Sequence, residues 1–388
     1  MKENIDRLYL NIVAILSSII AAGVHSYLTL HHYELLYGRS EGASICNIGE
    51  KWSCDIVNTS PFSEVFGVPI ALFGAIAAIV LTLLLIWQRA LRFQLPPLNR
   101  LLQILAVFIF IVSIIMGAIS YFVLQAFCLF CSITYLLSLI TAIAVWKQTS
   151  QLATPSNTIG WLFKRGSGSG FSYLLWLLAV PIFAIIGSKM FESHFAQGMD
   201  LFVAESIGQW KMNPQQNFDA TQGLKKKSGD HYKMTIVEFA DFNCPHCRHA
   251  APSLHAFAGA RSDVQLIFMN FPLDGRCNNA IPRPGRSCEL AKSVYCAQKL
   301  GDQGWAAHDW LFQNQGHATT EALSSNLHAD ASAFTACIES QEAHNTILQE
   351  ANAGERAQIR GTPSIFVNGR MLPGGQMIPV LEAVYKTL

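Results

Sequence analysis

The sequence predicts an α-helical membrane domain of five spans followed by a soluble α/β domain, and three observations carry that prediction. Only 14% of the 388 residues are charged and 51% are hydrophobic, whereas an ordinary soluble domain carries roughly 25% charged residues. Charge-free stretches crowd the first half, and Lys, Arg, Asp and Glu return after about residue 189. Ten cysteines fall into groups that straddle both halves: Cys46 and Cys54, Cys128 and Cys131, Cys244 and Cys247, then Cys277, Cys288, Cys296 and Cys337. A net charge of +1 leaves no basic or acidic excess of the kind that nucleic acid or another highly charged partner calls for.

Taking the elements in order, five uncharged stretches reach the length of about 20 residues that a bilayer core requires: about 9–29, 66–88, 101–124, 127–146 and 171–188. The third and fourth come from one uncharged run between Arg100 and Lys147, which is too long for a single span and predicts a hairpin turning near Gln125. The loop 89–100 carries Arg89, Arg92 and Arg100 without an acid, and the loop 147–170 carries Lys147, Lys164 and Arg165 without one. Both are expected on the cytoplasmic side. The loop 30–65 holds Glu34, Glu41, Glu50, Asp55 and Glu64 against Arg39 and Lys51, which suits the outer face. The N-terminus is then cytoplasmic, and five spans carry the C-terminal half outside. The first span is too long for a cleavable signal and is expected to stay as an anchor.

This topology gathers all ten cysteines into one compartment. Outside a bacterial inner membrane that compartment is oxidising, so disulfide chemistry is expected over zinc–thiolate sites, and no metal site is predicted. The expected division is a four-helix membrane domain over 1–150, a cytoplasmic loop and fifth span over 151–190, a linker over 191–229 and the soluble domain over 230–388. Gly166–Gly170 reads as a flexible link ahead of the fifth span. If the linker behaves as a coil it reaches roughly 35 Å.

In the membrane half the segment Cys46–Gly74 reads CNIGEKWSCDIVNTSPFSEVFGVPIALFG, and the fourth span opens CLFCSITY. Exchange between thiols and disulfides needs a thiolate close to a disulfide sulfur. A C-x-x-C at a helix start gives its first cysteine the unpaired backbone N–H groups of that helix. Cys46, Cys54, Ser60, Gly67, Pro69, Gly74, Cys128 and Cys131 together resemble the pattern of the vitamin K epoxide reductase family, over about residues 9–146. That resemblance implies a four-helix bundle in which Cys131 faces a quinone, ubiquinone or menaquinone, and Cys128 resolves the bond it forms. Cys46 and Cys54 then carry electrons in from outside. It also implies that Ser60 bonds a quinone carbonyl and that Tyr135 lines the same pocket.

In the soluble half the apolar run Tyr232–Ala240 reads as a buried strand, and Asn243-Cys244-Pro245-His246-Cys247 follows it at once. A strand ending in C-x-x-C on a helix start is the thioredoxin arrangement. Gly361-Thr362-Pro363 ahead of the strand Ser364–Asn368 supplies the cis-proline position that faces the active cysteines in that fold. The stretch 286–355 reads as a helical insertion, so residues 230–388 resemble the DsbA-like branch of the thioredoxin superfamily. Cys244 is the expected nucleophile, with His246 stabilising its thiolate when charged, and Cys247 the resolving thiol. Pro-His between the cysteines resembles the strongly oxidising members. The potentials of DsbA and thioredoxin differ by about 150 mV, roughly 7 kcal/mol for a two-electron couple, which is enough to set direction.

Glu238 matches the buried carboxylate of such folds and is expected to move protons for Cys247, while His249 and His255 read as solvated helix residues. Four cysteines allow three pairings; Cys277 with Cys288 and Cys296 with Cys337 is the expected one. The function expected is oxidation of exported cysteine-containing proteins, with electrons passed to a membrane quinone. Two other readings stay open: a reductase or isomerase running electrons the opposite way, and a non-enzymatic tethered chaperone or metal-binding protein.

Overall fold

The computed structural model describes residues 2–37, 52–91, 95–124, 126–149, 171–196, 198–219, 223–226 and 231–388. Met1–Tyr33 with Lys51–Gln197 form one compact unit, and Gly198–Leu388 forms the body of a second.

The first unit is built on α1 (Lys2–Leu36), a short helix α2 (Cys54–Asn58), a hairpin of β1 (Glu64–Val65) and β2 (Val68–Pro69), then α3 (Ile70–Ala90) and α4 (Pro96–Ala118). A π-helical turn Ile119–Leu124 prolongs α4, α5 (Leu129–Thr149) returns, and α6 (Phe171–Phe195) closes the set. Among the described residues four helical stretches are long and apolar enough to cross a bilayer: Ile5–Leu36, Ile70–Ala90, Leu98–Leu124 and Leu129–Thr149. Gln125, where the hairpin was expected to turn, lies outside the described residues. A core of Leu81, Leu84, Leu85, Leu98, Leu102 and Val145 joins α3, α4 and α5. Next to it Gln88, fully buried, receives Asn11 Nδ2 and Gln148 Nε2, each at 3.4 Å, and donates to Asn99 Oδ1 at 2.6 Å. Four helices are thus tied together by hydrogen bonds between buried amides.

At the other end of this unit α2 is held against α1. His31 Nε2 lies 2.7 Å from Asp55 Oδ1, and His32 contacts the Asn58 carbonyl at 2.6 Å and Glu64 Oε1 at 3.0 Å. The β1–β2 hairpin turns on Phe66 and Gly67, both at positive φ (54° and 75°), the pair of left-handed residues a two-residue hairpin needs. The α6 helix packs on α3, with Leu72 3.6 Å from a Cβ built on Gly187, and Ser188 Oγ lies 2.9 Å from Tyr33 Oη.

The second unit begins with α7 (Met199–Met212). It continues with β3 (Leu224–Lys226), β4 (Met234–Ala240), α8 (Pro245–Gly259) and β5 (Val264–Asn270). Five helices follow: α9 (Ser287–Gly301), α10 (Gly304–Gln313), α11 (Thr320–Asn326), α12 (Ala331–Glu339) and α13 (Gln341–Arg356). The chain ends with β6 (Ser364–Val367), β7 (Arg370–Met371) and α14 (Ile378–Thr387). The sheet runs β3-β5-β4-β6-β7, with β4 parallel to β5 and antiparallel to β6. This is the thioredoxin order with a helical insertion between β5 and β6.

The expected linker over 191–229 needs correction. Trp210 of α7 is buried and donates its indole N–H to the Val367 carbonyl at 3.0 Å, and β3 forms the sheet edge with Leu224 opposite Phe268. The indole's area and its hydrogen bond outweigh the polar residues around it. Much of that stretch therefore belongs to the folded second unit.

Candidate functional site

Each unit holds a C-x-x-C at a helix start. In the first, Trp52 bridges Phe127 in parallel register and the Ser53 N–H donates to the Phe127 carbonyl at 2.8 Å. Cys54 and Cys128 each stand one residue beyond that bond. Ser53 caps α2 by accepting from the Ile56 N–H at 3.2 Å, so Cys54 opens the helix, fully buried and disulfide-bonded. Cys46 lies outside the described residues. Cys128 and Cys131 are joined, with Cα atoms 5.1 Å apart. The backbone N–H of Cys131 donates to Cys128 Sγ at 3.0 Å. That sulfur occupies the place of a capping oxygen, where the helix favours negative charge.

Cys131 and Tyr135 project into a cavity of about 190 Å³ walled by α1, α2, α3, α4 and α5. Its lining is mostly apolar and includes Leu28, Phe73, Phe108, Val112 and Met116. A cavity of roughly 150 Å³ accepts benzene, so this one admits a substituted ring. Its polar lining comes from His25, Asn58, Ser63, Ser113, Thr134 and Tyr135, a few polar groups in a mostly apolar wall, as in small-molecule sites.

Ser60 is not among the lining residues. It is 3% exposed, and its hydroxyl donates to the Val57 carbonyl at 3.0 Å. The α2 helix ends just before it, and the side chain turns back to satisfy a carbonyl that the helix leaves open. Asn58 and Ser63 supply the wall instead. Sequence reading also passed over His25 and took Met116 for a lipid-facing or core residue; the place of both depends on packing between helices far apart in the chain.

In the second unit β4 delivers the chain to Cys244, which stands as the N-cap of α8 with Pro245 at the first helical position. Its carbonyl accepts from the N–H groups of Cys247 (3.1 Å) and Arg248 (3.2 Å). Cys244 is 7% exposed, Cys247 fully buried, and both are free thiols. The Thr362–Pro363 peptide is cis, and Cys244 Sγ lies 3.3 Å from the Thr362 carbonyl. The Cys244 thiol is lowered to about 5, foremost by the hydrogen bond from Cys247. Burial opposes that shift, and the Thr362 side chain and the backbone N–H groups of Cys247 and His246 assist it. His246 itself is exposed. Burial, then the bond to Cys244 and the charges of Glu238 and Cys244, push the Cys247 thiol far up.

Glu238 sits mid-sheet, opposite Phe268 and Ile365, fully buried with neither carboxyl oxygen bonded. Burial, reinforced by the charge of Cys244, raises it to about 8. The acid is therefore protonated at neutral pH beside the resolving thiol. Sequence reading missed Gln315, whose Nε2 donates to the Phe242 and Cys244 carbonyls, both at 2.9 Å. It pins the active loop to the helical insertion.

His255 departs from the solvated position expected of it. Its side chain is 12% exposed and stacks on His308 with ring centroids 4.8 Å apart. Its Nδ1 lies 3.6 Å from Asp309 Oδ1 and 3.4 Å from Lys226 Nζ. His255, His308 and Asp309 have the residue types of a metal site, but an ammonium already stands beside them. Cys277 is joined to Cys288 and Cys296 to Cys337.

Comparison with known proteins agrees with this geometry. Residues 12–146 match the model of the vitamin K epoxide reductase family, and residues 235–386 that of the DSBA-like thioredoxin domain. A protein named "Probable disulfide bond formation protein D" from Bacillus cereus is 26% identical over 168 residues, 40% of this chain and 73% of that protein. "Na(+)/H(+) antiporter NhaA 1" of Salinispora arenicola is 27% identical over 155 residues, 39% of this chain. The match spans only 22% of that antiporter's length. Among solved structures, oxidised BdbD from Bacillus subtilis gives a TM-score of 0.39 at 16% identity over 45% of this chain and 97% of that one. DsbA2 from Pseudomonas aeruginosa gives 0.35 at 23% identity over 41% and 92%.

Proposed function

We propose that this chain, which joins a domain of the vitamin K epoxide reductase family to a DSBA-like thioredoxin domain, is a bacterial inner-membrane thiol oxidase. It makes disulfides in exported proteins and discharges the electrons to a membrane quinone. The observation that carries this reading is the position of Cys131 in the wall of an apolar, ring-sized cavity, one helical turn from Cys128, with the segment that leads into Cys54 bonded to the one that leads into Cys128 through Ser53 and Phe127.

In the proposed cycle a substrate thiolate attacks Cys244 Sγ of the Cys244–Cys247 disulfide, and Cys247 leaves and takes a proton. The second substrate thiol then attacks the mixed disulfide, so the substrate loses two electrons and two protons and the Cys244/Cys247 pair gains them. Protonated Glu238, buried beside Cys247, is the proton source for that leaving sulfur. A low Cys244 pKa supports this direction, because stabilising its thiolate favours the reduced pair and makes the disulfide easy to give away.

The reduced pair passes both electrons to a Cys46–Cys54 disulfide, and these to Cys128–Cys131. A quinone bound in the cavity would supply the terminal acceptor for two electrons and two protons, with Cys131 facing it and Cys128 closing the disulfide behind it. Helix α6 serves as the fifth span in this proposal, which leaves the N-terminus cytoplasmic and every cysteine pair on the periplasmic side.

Purified protein is expected to reduce a short-chain ubiquinone when given a reduced substrate protein. Cys131→Ala should stop this, and Cys244→Ala should spare turnover with a small dithiol that reaches Cys46 and Cys54 directly. Undiminished quinone reduction by Cys131→Ala would falsify the mechanism.

A further inference from the structure

The cavity wall supplies more hydrogen-bonding groups than it leaves available. Ser63 donates to the Ser60 carbonyl, Ser113 to that of Ile109 and Thr134 to that of Cys131, at 2.7, 3.0 and 2.8 Å. Asn58 Nδ2 is tied to the Leu28 carbonyl at 2.8 Å. Two lining side chains remain with no such commitment among the described residues, His25 on α1 and Tyr135 on α5. Nδ1 of His25 is buried and without a partner.

A buried imidazole nitrogen without a partner on a membrane helix is costly. Its seat has also been cleared for it. A Cβ built on Gly74 of α3 would stand 2.6, 2.7 and 2.8 Å from three atoms of the His25 ring, so the ring fits only because residue 74 is glycine. The same ring borders a smaller cavity whose lining includes Ser18, Ser138 and Thr141. It stands at the junction between the apolar chamber and a patch of hydroxyls.

We propose that His25 is a quinone-binding residue, donating a hydrogen bond from its imidazole N–H to one carbonyl oxygen of the acceptor. A quinone ring carries two such oxygens, and among the described residues Tyr135 and His25 are lining donors with no bond recorded. Held at both, the ring is fixed in the chamber that Cys131 lines. This inference rests on the quinone reading of the cavity and adds to it the residue that orients the ligand.

The test uses the full-length protein in lipid nanodiscs and two readouts, equilibrium binding of a short-chain ubiquinone and its reduction by a small dithiol. His25→Leu and His25→Phe, the second keeping a ring but no donor, are expected to weaken binding about tenfold, the loss of one hydrogen bond. His25→Gln, which restores a donor, should stay within about threefold of the wild type. Cys131→Ala should reduce nothing. Wild-type protein that neither binds nor reduces quinone would refute the parent reading. Wild-type binding matched by His25→Leu or His25→Phe, or equal loss in His25→Gln and His25→Phe, would overturn the role of His25 alone and leave the parent reading standing.

Discussion

The two C-x-x-C helix starts share their local geometry and differ in what surrounds them. At both, the first cysteine occupies the cap, where a helix favours a thiolate. Around Cys128 and Cys131 the structure places apolar side chains and a ring-sized chamber. Around Cys244 and Cys247 it places a buried acid, a cis-proline and a glutamine that braces the loop from the helical insertion. The contrast teaches that the motif supplies the chemistry while the environment chooses the partner. In the proposed function the chamber takes a small flat acceptor, and Cys244, whose residue is 7% exposed, takes another protein's thiol.

The most severe way to break this comparison is to fill the chamber. Ala77 lines it, and Ala77→Phe is expected to abolish quinone reduction while exchange between Cys244 and a reduced substrate protein continues, followed by stopped-flow fluorescence. Loss of both reactions would show that the two sites are not separable in this way.

Next in size are the disulfides of the second unit. Cys296–Cys337 closes 41 residues and Cys277–Cys288 closes 11, so loop entropy assigns about 4 kcal/mol to the first and about 3 kcal/mol to the second. Denaturant melts of Cys296→Ala/Cys337→Ala and Cys277→Ala/Cys288→Ala should rank in that order. Quinone reduction with a small dithiol should be unaffected in both.

Glu238 gives a pH-dependent difference between the sites. Its carboxyl is raised from the ordinary value of 4.5 to about 8 in the folded state, so the unfolded chain ionises first as pH rises. The protonated acid's contribution is complete below about 4.5 and is lost progressively up to about 8. Glu238→Gln should therefore gain stability relative to the wild type across that window, by a few kcal/mol at its upper end, with no change below it. A difference that is flat with pH would contradict the buried, protonated acid.

The smallest effect concerns the Cys244 thiolate. In the reduced protein its alkylation should persist down to about pH 5 and fail below it as the sulfur gains a proton. Because the Cys247 thiol is the foremost cause of that low value, Cys247→Ala should move the midpoint upward. An unmoved midpoint would shift the credit to Thr362 and the helix N–H groups.

Much of this was legible in the sequence because the signals are local. Absence of charge marks Ile70–Ala90 or Leu129–Thr149 as a span, and cysteine spacing marks each redox pair without any knowledge of packing. What was not legible depends on contacts distant in the chain. His25 looks like one polar residue in an apolar helix until Gly74 is seen under its ring. Ser60 was expected at the ligand from the family resemblance and Asn58 and Ser63 were not considered, because only the end of a five-residue helix decides which of them turns toward the chamber. Trp210 hid in a segment whose polarity suggested a linker. Gln315 lies seventy residues and more from the carbonyls it braces, with no motif to announce it.

The central claim is that electrons leave Cys244 and Cys247 through Cys131. The most direct measurement is acid trapping and alkylation of thiols in growing cells, reading the redox state of Cys244 and Cys247 in wild-type and Cys131→Ala protein. The account predicts mainly disulfide in the wild type and a shift to dithiol when Cys131 is lost. Mainly dithiol in the wild type, or no shift in the variant, would contradict it.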